Sequence, residues 1–173
     1  MQLSYLIKGT PGHPSHPPLT DVTIGAYTAA TALGVIGALG VSEGNLSKGW
    51  WLALLIGVVT SGVTSLTGLA DWLEISRGTP MWRTATTHMI VNLAASALFV
   101  VTLVLGHGGY VDGEVSTGAL VLNLIAFAFL SFGGWLGGSI VFVHGMRVLD
   151  MPDEPSGRAI APLTPEKKAA QES

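Results

Sequence analysis

The chain contains no cysteine. That removes disulfides, thiolate nucleophiles, cysteine-held iron–sulfur clusters and covalently attached haem. Charge is scarce as well. Asp, Glu, Lys and Arg make up 11% of the 173 residues, where a soluble domain carries about 25%. No sign of charge dominates, since the net is −3, so no general attraction to nucleic acid is expected. The sequence also lacks a P-loop, a G-x-S-x-G elbow, an H-E-x-x-H pair and a dinucleotide fingerprint in a βαβ setting, which leaves conventional hydrolase and nucleotide chemistry without support.

What is present is apolar. Hydrophobic residues are 49% of the chain and glycines number 23, and the mean hydropathy is +0.53. A chain this apolar cannot stay solvated as a disordered coil. Abundant glycine without a triplet period fits closely packed membrane helices. Four runs lack Asp, Glu, Lys and Arg: 22–41, 49–70, 84–111 and 115–146. Each meets the ~20 residues needed to cross ~30 Å of hydrocarbon. In lipid each must be helical to satisfy its own backbone. The connections are short and polar, and 106–109 (Gly-His-Gly-Gly) reads as a loop after the third helix.

The expected fold is therefore all-α, a four-helix transmembrane bundle running up-down-up-down. Residues 1–21 form a His/Pro-rich segment, 22–149 the membrane domain, and 150–173 a Pro-rich tail expected to be disordered. Lys8, Arg77, Arg83, Arg147, Arg158, Lys167 and Lys168 fall on one side and only Lys48 on the other. By the positive-inside rule both termini are cytoplasmic, in the plasma or inner membrane.

On this topology the costly residues collect at one end. His13 and His16 precede helix one and Asp21 opens it. Asp71 closes helix two, His88 lies six residues past Trp82 in helix three, and His144 lies three before Arg147 at the end of helix four. Only His107 falls at the far end. Ionisable groups inside a span default to a functional reading. Asn92 is i+4 from His88, and Thr84 is i−4, so the three share a face. Gly137 shares the face of His144 and lets a backbone or a flat cofactor approach, although Gly133/Gly137 and Gly134/Gly138 are also G-x-x-x-G packing pairs. The prolines of His13-Pro14-Ser15-His16-Pro17-Pro18 suggest polyproline II, which would set the two imidazoles about 9 Å apart. Trp135 is expected to pack in the core or against a cofactor.

These motifs carry a resemblance. Gly12-His13-Pro14-Ser15-His16-Pro17, Gly68-Leu69-Ala70-Asp71-Trp72, His88-Met89-Ile90-Val91-Asn92, and Gly134-Trp135-Leu136-Gly137-Gly138 followed by His144-Gly145 resemble the domain-of-unknown-function 2231 family of small bacterial membrane proteins. The resemblance spans about residues 9–149 and implies four membrane helices. Some relatives are joined to Rieske-type iron–sulfur domains, which implies membrane electron transfer. It supplies no established activity.

Neutral imidazole is a common ligand to iron, copper and zinc. The leading expectation is a haem b or a non-haem Fe, Zn or Cu site serving electron transfer. His88, His144, His13 and His16 are the candidate ligands, with Asp71, Asn92 and Gly137 supporting them. A non-haem ion would draw on His13, His88, His144 and Asp71. The rival expectation is a structural hydrogen-bond network in a membrane scaffold or a subunit of a larger redox complex. Proton or quinone chemistry, and a channel or carrier built as an oligomer, rank lower. The lipid bilayer, a redox partner protein and a second copy of the chain are the expected partners.

Overall fold

The computed structural model describes residues 7–160. The first six residues and 161–173 of the tail lie outside the described part. Four helices are long and apolar enough to cross a membrane: α1 (His16–Ala38), α2 (Glu43–Trp72), α3 (Pro80–Leu105) and α5 (Thr117–Phe142). Between the last two lies a short helix α4 (His107–Asp112), and a single turn α6 (Ser156–Ala159) follows the bundle. Ahead of α1, β1 (Gly9–Thr10) and β2 (His13–Pro14) pair antiparallel.

Several boundaries differ from those the uncharged runs suggest. The His/Pro-rich segment is not polyproline II. Residues 9–14 of it form the strand pair, with Gly9 and Gly12 at φ +76° and +77°, and α1 opens at His16. Pro17 and Pro18 follow His16 in the first turn, where the absent N–H would have been unpaired anyway. Asp21 therefore sits in the second turn of α1 and does not open it. Residues 107–112 are helical where a loop is expected. At the other end α5 stops at Phe142, so His144 lies in the turn beyond the helix.

The four long helices form two antiparallel hairpins. In the first, Gly68 of α2 lies against the His16 ring of α1, and Gly37 lies against Leu46 at the opposite end. In the second, His88 of α3 meets Gly133 and Gly137 of α5, and Thr84 meets His144. Within each hairpin the packing is extensive. Between the hairpins, at the α2/α3 and α1/α5 seams, it is sparse.

The core occupies the half of the bundle remote from His16. Trp50, Leu54, Phe99, Ala30 and Ala119 are buried there. Trp50 Nε1 donates to Asn123 Oδ1 (3.1 Å), and Asn123 Nδ2 donates to Thr31 Oγ1 (2.7 Å). Three helices are thereby tied through polar groups that lipid could not satisfy. The Tyr27 and Phe99 rings stack 3.7 Å apart at 8° and close this half off. Tyr27 fits only because position 57 is glycine, since a Cβ there would lie 2.5 Å from its ring.

Candidate functional site

Beyond the Tyr27–Phe99 stack the bundle is hollow. A cavity of about 590 Å³ runs between the hairpins and is lined by all four long helices. The volume lies within the ~300–1,000 Å³ usual for small-molecule sites. One wall carries His16, Thr23 and Tyr27 of α1 with Ser61, Thr64 and Asp71 of α2. The other carries His88 and Asn92 of α3 with Gly134 and Gly137 of α5.

Each wall presents one imidazole. His16 Nδ1 lies 3.1 Å from the Thr64 carbonyl oxygen and 3.1 Å from Thr67 Oγ1. Thr67 gives its own hydroxyl proton to that carbonyl, so the ring nitrogen is the donor in both contacts. The ring rests on Gly68, where a Cβ would lie 2.7 Å from Cε1. His88 Nδ1 lies 2.8 Å from the Gly133 carbonyl oxygen and so also donates. Asn92 Nδ2 donates to the His88 carbonyl at 2.8 Å. Its amide fills the space beside Gly133 that a Cβ would take.

Both imidazoles are thus held by their Nδ1–H on a backbone carbonyl, which leaves the Nε2 lone pairs without a protein partner. Among the described residues no buried side-chain nitrogen or oxygen lacks a partner. The two Nε2 atoms are therefore open rather than sealed in protein, on residues that line the cavity. A donated Nδ1–H to a carbonyl is the usual support of a ligating histidine.

The other predicted residues are placed differently. His13 is exposed on β2 and does not line the cavity. His144 is also outside it, with Nε2 3.1 Å from Thr84 Oγ1. His88 lines the cavity and His144 does not: α5 ends before His144, and that ring lies in the turn beyond it, bonded to Thr84. Among the described residues no group of three or more His, Cys, Asp or Glu could hold a metal ion, so the set of His13, His88, His144 and Asp71 is not assembled. Gly137 lies against His88, with a Cβ position 3.1 Å from that ring, and not against His144. Trp135 faces outward, 69% exposed and stacked on Phe132. His107 is exposed at the far end beside Trp51 and Tyr110.

Asp71 has a different partner from the one expected. It is buried, and Arg147 Nη2 donates to its Oδ1 at 2.6 Å and to Glu74 Oε2 at 2.8 Å. Lys8 Nζ holds the other Glu74 oxygen. This ionic clasp joins the first hairpin, the segment after α5 and the residue before β1 across the mouth of the cavity. Arg147 adopts φ +61° to reach it, a conformation costly for any residue but glycine. The hydrogen bond from Lys8, aided by the Arg147 charge, holds the Glu74 carboxyl below its ordinary range against a smaller opposing effect of burial.

The hydroxyl stripe of the first hairpin was not among the predicted site residues. Thr23 and Thr64 Oγ1 lie 2.9 Å apart, and Tyr27 donates to Ser61 at 3.3 Å. The signal was available: Thr20, Thr23, Tyr27 and Thr31 recur at helical spacing in α1, as do Gly57, Ser61, Thr64 and Gly68 in α2.

A family model described as a predicted membrane protein, DUF2231, matches residues 12–150. No curated protein and no solved structure matches the chain.

Proposed function

Because the chain belongs to the DUF2231 family of predicted membrane proteins and lines its cavity with one imidazole from each hairpin, we propose that it binds haem b between His16 and His88 and passes electrons within the membrane. The two unpartnered Nε2 atoms, one on each hairpin lining the cavity, carry this reading. A metal held by protein alone needs three or more donors, and no such group is present among the described residues. A haem brings four nitrogens in its ring and asks the protein for two axial ones.

Bound there, haem would supply one-electron transfer. The chain's own groups have separate tasks. The Thr64 and Gly133 carbonyls fix the tautomer and orientation of the two imidazoles. Gly68 and Gly137 make room for the rings. The apolar walls exclude water, and the Tyr27–Phe99 stack sets the depth of the site. By the positive-inside count this end of the bundle would face the cytoplasmic leaflet, where a soluble redox partner would dock.

Purified protein titrated with ferric haem should give a six-coordinate, low-spin spectrum. His16→Ala and His88→Ala should each abolish it, while His13→Ala, His107→Ala and His144→Ala leave it intact. Mild acid should release the group, because ligation needs neutral imidazole. A wild-type spectrum unchanged from haem in detergent alone would favour the structural reading, in which the same two histidines only tie helices through the Thr64 and Gly133 carbonyls.

A further inference from the structure

A second, smaller cavity of about 300 Å³ adjoins the mouth of the first, lined by Lys8, Gly9, Thr10 and Arg147 among others. Pro14, Arg147 and Val148 line both cavities, so Arg147 borders an occupant of the large one, and Lys8 lies beside it in the small one. The two spaces differ in kind. The large cavity is apolar with two imidazoles. The small one brings together a lysine, an arginine and the backbone of the strand pair.

We propose that Lys8 and Arg147 form a carboxylate cradle that anchors the acidic groups of whatever occupies the large cavity, so that the bound molecule is a flat, largely apolar acid. This deepens the haem reading and rests on it for the identity of the occupant. The cradle's competence is visible in what it already holds. Both Glu74 oxygens are taken, one by Lys8 and one by Arg147, and the Glu74 carboxyl is held low first by the Lys8 hydrogen bond and then by the Arg147 charge. The Glu74 side chain is 46% exposed, so it can swing out into water and give its place to another carboxylate. Asp71 is not exchangeable in this way, because it is buried against Arg147. It keeps the guanidinium in position while Glu74 comes and goes.

The test uses iron-free protoporphyrin IX, which cannot be ligated by the imidazoles, beside its dimethyl ester, which has the same ring without the charges. The full-length protein in detergent should bind the diacid about tenfold more tightly than the ester, the scale of one or two charge-assisted hydrogen bonds. Lys8→Gln should weaken the diacid about threefold or more, and Glu74→Gln should strengthen it, with the ester indifferent to both. A clasp that only holds the structure together predicts otherwise: both variants loosen it and both weaken binding. Equal affinity for diacid and ester, parallel losses in Lys8→Gln and Glu74→Gln, or undiminished binding in a Gly134→Trp variant that fills the large cavity would each overturn the cradle. The haem reading is judged separately, by the low-spin spectrum and its loss in His16→Ala and His88→Ala. An ester that binds as well as the diacid would sink the cradle and leave that spectrum standing.

Discussion

The two halves of the bundle are built from the same four helices and solve opposite problems. In the half remote from His16, large side chains meet glycine: Trp50 lies against Gly34 and Gly106, and Tyr27 against Gly57. Its polar groups are spent on one another, as Trp50, Asn123 and Thr31 are. In the half near His16, glycine also meets side chains, but the side chains are imidazoles and an amide, and the space between the walls is left open. Small residues thus serve close packing in one half and the placing of nitrogen donors in the other. The polar groups of the first half have no capacity left for a ligand, whereas those of the second keep theirs.

This contrast can be broken or sharpened by substitution. The largest effect is expected for Trp50→Ala, which empties the filled half and strands Asn123. It should cost about 3 kcal/mol or more, read from thermal unfolding in detergent. His88→Ala at the opposite end should cost less than about 1.7 kcal/mol, the upper range for one interhelical hydrogen bond in a membrane. Equal losses would erase the distinction. Gly57→Ala should follow, at about 1–3 kcal/mol, because its Cβ would press on the buried Tyr27 ring. Gly134→Ala, with open space beside it, should stay within about 0.5 kcal/mol.

Next comes the mouth of the cavity. Arg147→Gln leaves the buried Asp71 carboxylate without its cation, at a cost of about 1–3 kcal/mol, and adding Asp71→Asn should restore most of it. The effect of acid on Glu74 is smaller than that of Arg147→Gln. Its folded pKa is depressed, so its contribution is complete above the unfolded value of about 4.3. That contribution is lost as pH falls through the lower folded value. The pair is exposed, so the loss should be under about 1 kcal/mol. Glu74→Gln should flatten that part of the stability–pH curve by lowering the neutral plateau by the same small amount, with no change in acid.

The helices were legible because lipid leaves no alternative: an uncharged run of sufficient length must satisfy its backbone as a helix. The gathering of His16, His88 and Asp71 at one end followed from counting along those helices. Two details did not follow. Prolines at 17 and 18 suit both polyproline II and a helix start, and only the packing of His16 on Gly68 decides between them. His144 lies in an uncharged stretch that continues past Phe142, so nothing in composition marks the end of α5. That Asp71 belongs to Arg147 and not to an imidazole depends on a left-handed turn at position 147, which no local pattern announces.

Each imidazole is oriented wholly by its own hairpin: His16 by Thr64, Thr67 and Gly68, His88 by Asn92, Gly133 and Gly137. Neither arrangement needs the other hairpin to exist. A chain severed in the stretch 73–79 should therefore yield two fragments that insert separately, each with its ring already posed, and the site becomes a matter of assembly between finished parts. Such a pair of fragments would let one ring be exchanged or isotopically labelled while the other is left untouched.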